Sequence, residues 1–396
     1  AYYLTYRQGL KEGGIAWFVG PELDDFALRE GFDAESHPSR IRLTSMDGPF
    51  GEWLREQSVE FGVEVEEVDR ITSVEGHEVP EEQFDDIILL SPTPDLIEKV
   101  SPYLSYHGVL VFSAASAFER NVEVDVGRVH YNRWLFLGGD EKDISEIYRK
   151  APARTGLSPG GRAMFLGAGG PMGRMHVQHA IESQHPPSVI VCSDISDTRL
   201  KDIDETFGGE AQAKGIAWHI VNPMAVEGLK KIVSKVDGTG FDDIIMLVPN
   251  AKVIAESTRW LAHGGVMNIF AGVPRGTMAE IDLNELVEKD IRLIGHSAST
   301  IENMLTMLQK VEDGELNTNR SVAAVGSLSA AKDGMQAMIN ATYPGKVVIY
   351  PNIMDLPLTA VSELGSILPE VGSKLQGGRI WTKAAERELL SIMALG

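Results

Sequence analysis

Cysteine is all but missing from this chain. Cys192 is the single one in 396 residues, so no disulfide can form within the chain and no structural zinc site can be built from cysteines. Positive charge is short as well: 36 Lys and Arg stand against 57 Asp and Glu, a formal net charge of −21. So acidic a chain suits neither a nucleic-acid backbone nor an anionic membrane surface, and neither is expected as a partner. No apolar run reaches the roughly 18 residues of a membrane span. The first residues lack the basic flank and apolar core of a secretory signal. With the lone cysteine, these absences point to a reducing cytoplasm. The apolar fraction of 43% and charged fraction of 23% are those of a globular protein, long enough here for two or three cores.

What is present is glycine, and its densest cluster organises the rest. Ala163 to Leu166 reads as a short buried strand, and it runs into a turn at Gly167, Gly169, Gly170 and Gly173. Behind the turn, Val177, Ala180 and Ile181 fall on one face of a helix. Strand, glycine turn and helix let a backbone approach a pyrophosphate closely, and the free amides of the first helical turn hold its charge. A second strand, Ser188 to Ser193, ends on Asp194, 21 residues past Gly173. An acid there is placed to accept hydrogen bonds from adenosine ribose hydroxyls and to repel a 2′-phosphate, which points to NAD.

Taken in order, the chain alternates strands and helices. A helix is expected over Tyr2 to Leu10, a strand over Ile15 to Val19 and a helix from Leu23 to Glu30. Further strands are expected at Ile41 to Thr44, Val63 to Val68, 87–90, 109–113 and 134–137, with helices over Gly51 to Phe61 and 94–104. The pattern predicts an α/β protein of doubly wound, mostly parallel sheets. It also repeats. Phe84-Asp85-Asp86-Ile87-Ile88 returns as Phe241-Asp242-Asp243-Ile244-Ile245, and at the same offset of 157 residues Pro92 matches Pro249, Asp125 matches Asp282 and Gly138 matches Gly295. Two tandem Rossmann-type domains are therefore expected, 1–150 and 151–396, the second with a C-terminal extension. The first is degenerate: its turn reads Gly20-Pro21-Glu22-Leu23-Asp24-Asp25, and three carboxylates at a helix start would repel a pyrophosphate.

Five segments carry a family resemblance: Gly169-Gly170-Pro171-Met172-Gly173, Ser193 to Leu200, Ala271-Gly272-Val273-Pro274, Gly345 to Tyr350 and Asp355 to Ala360. In these the chain resembles the nucleotide-binding half of the zinc-type, medium-chain alcohol dehydrogenases. The nearest likeness is the sugar- and polyol-phosphate branch, among L-sorbose-1-phosphate reductase-like proteins. The family's N-terminal domain of cysteine, histidine and glutamate zinc ligands has no counterpart here. Either the chain is part of something larger or it has rebuilt a site with the degenerate half, and a homo-oligomer or a partner supplying the catalytic part is expected. The resemblance implies that NAD lies against Asp194, Ile195 and Arg199, where Arg199 could equally be a solvated helix charge. It also implies that Leu247-Val248-Pro249, Ala271-Gly272-Val273 and Gly295-His296-Ser297, at strand carboxyl ends, line the ribose and nicotinamide. The apolar members suit core packing equally well.

The function implied is hydride transfer between nicotinamide and a sugar, polyol or related alcohol. The alternative is a non-catalytic nucleotide-binding or scaffolding protein. Other histidines read more plainly. Gly76-His77-Glu78 imitates a zinc-site tripeptide but lies in a polar loop without a cysteine upstream. His176 and His179 share a helix face but lack a carboxylate or cysteine to complete a metal set, and solvated positions are expected. His296 beside Ser297 could relay a proton or be a plain loop histidine. His107, His130 and Tyr131 are expected to be structural, although a place facing the cofactor is open to them.

Overall fold

The computed structural model describes residues 7–21, 32, 37–72, 80–150, 156–224, 238–295, 297 and 299–393. Short runs rich in Ile, Val, Leu and Phe form the strands, in chain order β1 Ile15–Val19, β2 Arg40–Thr44, β3 Glu64–Glu67, β4 Phe84–Leu90, β5 Leu104–Ser113, β6 Val122–Asp125 and β7 Leu135–Gly139. They continue as β8 Arg162–Leu166, β9 Val189–Ser193, β10 Ala217–Val221, β11 Phe241–Met246, β12 Leu261–Ile269, β13 Met278–Ile281 and β14 Arg292–Gly295. Two six-stranded sheets result, ordered β3-β2-β1-β4-β5-β7 and β10-β9-β8-β11-β12-β14. Both have the doubly wound Rossmann order, reversing direction beside the first strand. Their central strands are buried on both faces, as parallel strands require: Ile87, Leu89, Leu110 and Val111 in one, Met164, Phe165, Ile244 and Met267 in the other.

Two compact units make up the chain, Ala1–Met164 with Lys230–Ala298, and Phe165–Leu229 with Ser299–Gly396. In the first unit β6 and β13 leave their sheets and pair antiparallel with each other. The second unit carries the tail. There β15 Val322–Ser327, β16 Lys346–Tyr350 and β17 Thr359–Ala360 make a small sheet, packed on a core of Leu356, Leu364, Trp381 and Leu389.

The repeated Phe-Asp-Asp segment has a structural use. Asp85 accepts the Ile15 amide at 3.0 Å and Asp86 the Lys11 amide at 3.0 Å. Asp242 accepts the Arg162 amide at 2.8 Å and Asp243 the Ser158 amide at 2.8 Å. In each case the pair satisfies the first amide of the leading strand and the amide four residues before it, which would otherwise lose hydrogen bonds on burial. The same irregularity also recurs. Between Phe84 and Asp86, and again between Phe241 and Asp243, the register to the next strand shifts. The strand that absorbs it has a left-handed residue near its start, His107 at φ 64° in β5 and Gly264 at φ 68° in β12. His107 is thus explained by backbone geometry, with its Nε2 3.2 Å from Arg133.

The expected strands lie where the periodicity put them, within a few residues. Helix 94–104 is shorter: it ends at Val100, and a 3-10 turn over Ser101–Tyr103 leads into β5, which starts five residues early. The expected helix over 2–10 is not present in its described part, since Arg7 to Leu10 form a bend. The tertiary structure overrides propensity there, because Arg7 donates to the Asp85 carbonyl and to Asp86 Oδ1, both at 2.8 Å. The helix expected over 23–30, the carboxylates Glu22, Asp24 and Asp25, and His77 and Glu78 lie outside the described residues. Among the described residues no helix is long and apolar enough to cross a membrane.

Asp86 is buried, and burial lifts its carboxyl to about 6 against the pull of Arg7, the Lys11 amide and the Tyr148 hydroxyl, which donates at 2.7 Å. Its unfolded value is near 3.9. Between these values the folded chain keeps a proton that the unfolded chain has released. Stability from this group is therefore full below about pH 4 and is lost as pH rises through about 6. Asp86→Asn should flatten the fall in denaturation midpoint between pH 4 and 6.5. An equally steep fall in the variant would assign it to another group.

Candidate functional site

In the second unit, the glycine turn is built by β8, β9 and the helix Pro171–Glu182. The amides of Gly167 and Ala168 both donate to the Ser193 carbonyl, at 2.8 and 3.0 Å, which ties the turn to the end of β9. Gly167 is left-handed at φ 85°, a conformation that favours glycine. Gly173 is needed for a different reason: a Cβ there would lie 2.4 Å from the carbonyl oxygens of both Gly167 and Ala168. Gly170 is different again. It is the helix N-cap at φ −75°, and a Cβ on it would meet only the Gly167 carbonyl, at 3.7 Å. Pro171 follows at the first helical position, where its missing N–H costs nothing. The amides of Met172 and Gly173 then have no carbonyl of their own helix to bond, and the first turn carries no acid.

Asp194 stands at the rim of this turn and is buried. One carboxylate oxygen accepts the Gly169 amide at 2.9 Å and the other the Ser196 amide at 3.0 Å. The acid therefore holds the turn in shape, and each oxygen keeps a lone pair for a further donor. Ile195 beside it is 72% exposed and Met172 39%, so two apolar side chains near the turn face solvent. Arg199 packs its stem where a Gly169 Cβ would be, 2.6 Å away. Its guanidinium reaches the Ala341 carbonyl at 3.5 Å. Ser196 caps the helix Asp197–Ile203. The structure thus brings Gly167, Gly169, Gly170, Pro171, Met172, Gly173, Asp194, Ile195 and Arg199 together.

The remaining nominated residues lie at strand ends of the first unit. Leu247 and Val248 are half-buried and Pro249 exposed. Ala271 and Val273 are buried, so their side chains belong to the core, whereas Gly272 between them is exposed. Gly295 has its backbone against Val129, where a Cβ would lie 2.0 Å from the carbonyl oxygen. Ser297 is half-buried; His296 lies outside the described residues. His130 is buried, with Nδ1 2.8 Å from the Ile269 carbonyl, and burial lowers its pKa.

His176 and His179 are half-buried rather than solvated. Burial and the Lys310 ammonium, 3.4 Å away, lower His179 to about 4. The helix Ile301–Glu312 supplies that lysine, a neighbour no local pattern announces. Among the described residues no three His, Cys, Asp or Glu side chains gather as a metal set. One charged neighbour of the turn has no counterpart in the sequence reading. Arg174, one turn into the glycine-turn helix, is buried and ion-paired to Asp202, with Phe207 under its guanidinium at 5.5 Å. Burial, together with the nearby positive charges of Arg379 and Arg320, depresses its pKa to about 10. An arginine at that helical position reads as surface charge in the sequence, so no signal marked it.

The geometry defines a Rossmann-type turn. Comparison with known proteins gives the relatives. No family model matches the chain. By sequence it is similar to mannitol-1-phosphate 5-dehydrogenase of Aliivibrio fischeri, with 28% identity over 246 residues, 59% of this chain and 57% of that protein. It is also similar to L-sorbose 1-phosphate reductase of Klebsiella pneumoniae, with 26% identity over 238 residues, 60% of this chain and 56% of that protein. The matched region thus spans little more than half the length of either. Among solved structures, 2R,3R-butanediol dehydrogenase from Bacillus subtilis aligns with a TM-score of 0.41 and 18% identity over 50% of this chain and 52% of that one.

The two glycines make opposite demands on a substitution. Gly173→Val should lower the denaturation free energy by about 3 kcal/mol or more, since backbone must move. Gly170→Val should cost no more than about 1 kcal/mol, the loss of a favourable cap. Equal losses in thermal melts would contradict the turn geometry.

Proposed function

We propose that the chain is an NAD(H)-dependent oxidoreductase, or the cofactor-binding part of one, acting on a sugar, polyol or related alcohol. One observation carries the reading: the turn over 167–173 leaves the Gly170 side open in front of an acid-free helix start, while Asp194 is fixed at its rim. Residues of this kind fit a pyrophosphate and an adenosine. The amides of Met172 and Gly173 would bond the phosphates and Asp194 the ribose hydroxyls, with Ile195 and the Arg199 stem against the adenine. A 2′-phosphate would meet the Asp194 carboxylate, which favours NAD over NADP. The cofactor supplies hydride acceptance and donation at nicotinamide C4. By resemblance, the backbone around Leu247-Val248-Pro249, Ala271-Gly272-Val273 and His296-Ser297 holds the ribose and nicotinamide.

The substrate class is taken from the sugar-phosphate relatives. Within this reading the chain is of the medium-chain type, with a degenerate Rossmann domain over 1–150 and a cofactor-binding one over 151–396, related by internal duplication. The 157-residue register of Phe-Asp-Asp, the shared strand order and the shared register shift support that relation. The single cysteine, buried in β9, fits a cytoplasmic setting. A further copy or a partner would supply the catalytic groups.

The test is a fluorescence titration with NADH and NADPH, followed by turnover on a panel of polyols and sugar phosphates with and without zinc. NADH should bind at least about tenfold tighter than NADPH, which is about 1.4 kcal/mol. Gly170→Val should abolish binding and Gly20→Val leave it intact. Binding without turnover would favour a non-catalytic nucleotide-binding role, and absence of binding would end the proposal.

A further inference from the structure

The pairing of β6 with β13 has a twofold character. Glu123 lies opposite Glu280, Val122 opposite Ile281 and Val124 opposite Ala279. In the 157-residue register Glu280 is the counterpart of Glu123, Ala279 of Val122 and Ile281 of Val124. Each strand therefore meets the other as it would meet a copy of itself, about an axis between the two glutamates. The reciprocity extends outward. The helix Val126–Asn132 packs on β14, and the helix Asn284–Lys289 packs on β7. Gly127 has its backbone against Pro274 and Arg275. Its counterpart Asn284 accepts the Phe118 amide at 2.8 Å and donates to the Phe118 carbonyl at 3.2 Å, and Phe118 is the counterpart of Arg275. This is the pattern of an isologous dimer contact, closed inside one chain.

The chemistry on its two sides differs. On one side the end of the helix Val126–Asn132 reaches the carboxyl end of β12. His130 bonds the Ile269 carbonyl at 2.8 Å and lies edge-on to Phe270 at 6.3 Å. The half-buried Tyr131 puts its hydroxyl 3.7 Å from where a Gly272 Cβ would be. Arg275 stacks on the Tyr131 ring at 5.0 Å and donates to Asn132 Oδ1 at 2.8 Å. On the other side the counterparts of His130 and Tyr131 are Val287 and Glu288. Only one strand end has received a polar aromatic set, and it is the carboxyl end of a parallel strand, where such sheets take their ligands.

We infer that the segment 84–140 serves as a fused partner that completes the ligand end of β12, and that Tyr131 is a positioning residue for a ligand lying along Ala271-Gly272-Val273. Its phenol can donate and accept at once, which suits a ribosyl hydroxyl or carboxamide of a nicotinamide nucleotide. The inference rests on the cofactor reading given under the proposed function. The glycine turn itself needs nothing from Tyr131.

The experiment compares the full chain with Tyr131→Phe and Glu288→Ala, measuring NADH by fluorescence, AMP by calorimetry and the melting temperature. Tyr131→Phe should weaken NADH about five- to tenfold, the loss of one hydrogen bond. AMP affinity and melting temperature should stay as in the parent, and Glu288→Ala should change none of the three. NADH affinity within twofold of the parent in Tyr131→Phe would overturn the inference. A parallel loss of AMP affinity and melting temperature would overturn it too, as a structural role. A parent that binds neither AMP nor NADH would instead strike down the cofactor reading.

Discussion

The backbone at Gly173 lies so close to the carbonyls of Gly167 and Ala168 that one added carbon would sit 2.4 Å from both. That approach sets the angle at which the helix Pro171–Glu182 leaves β8, and with it the direction of the unbonded amides at its start. Asp194 then fixes the other edge by taking the Gly169 amide. An anion site at a helix start depends on these amides being held in place before a ligand arrives. The turn meets that condition with short backbone contacts and one carboxylate.

A second theme is the use of paired acids as strand anchors. Asp85 and Asp86 hold the entry to β1, and Asp242 and Asp243 hold the entry to β8. The two acids of a pair do not share one electrostatic state. Burial pushes on Asp85 too, but Lys11 and the Ile15 amide outweigh it and hold that carboxyl below its usual range. Asp86, sealed beneath Tyr148, is carried upward. A repeated sequence pair can thus keep one mechanical role while its members titrate apart, because solvent access differs by a single residue.

Much of the strand layout was legible from apolar runs bounded by glycine and polar residues, since buried parallel strands leave that trace. The glycine turn was legible too, because Gly167 needs a left-handed φ and Gly173 a close approach to neighbouring carbonyls, both local demands. Arg7 to Leu10 misled, as a helical pattern gave way to two long-range bonds with Asp85 and Asp86. His179 and Arg174 look like surface charges on one helix, yet each lies against a side chain far away in the chain. Tyr131 and Gly272 are about 140 residues apart, and only folding brings them together.

The sequence by itself determined the alternation of strands and helices, the glycine turn with its acid, and the register of 157 residues. These are properties of neighbouring residues and of spacing, which backbone sterics and hydrophobic period translate directly into structure. Tertiary structure alone decided that β6 would pair with β13, that Asp194 would clamp the turn, and that the end of one helix would rest on the end of β12. Those outcomes depend on which distant surfaces fit once buried, and no window of sequence contains both partners.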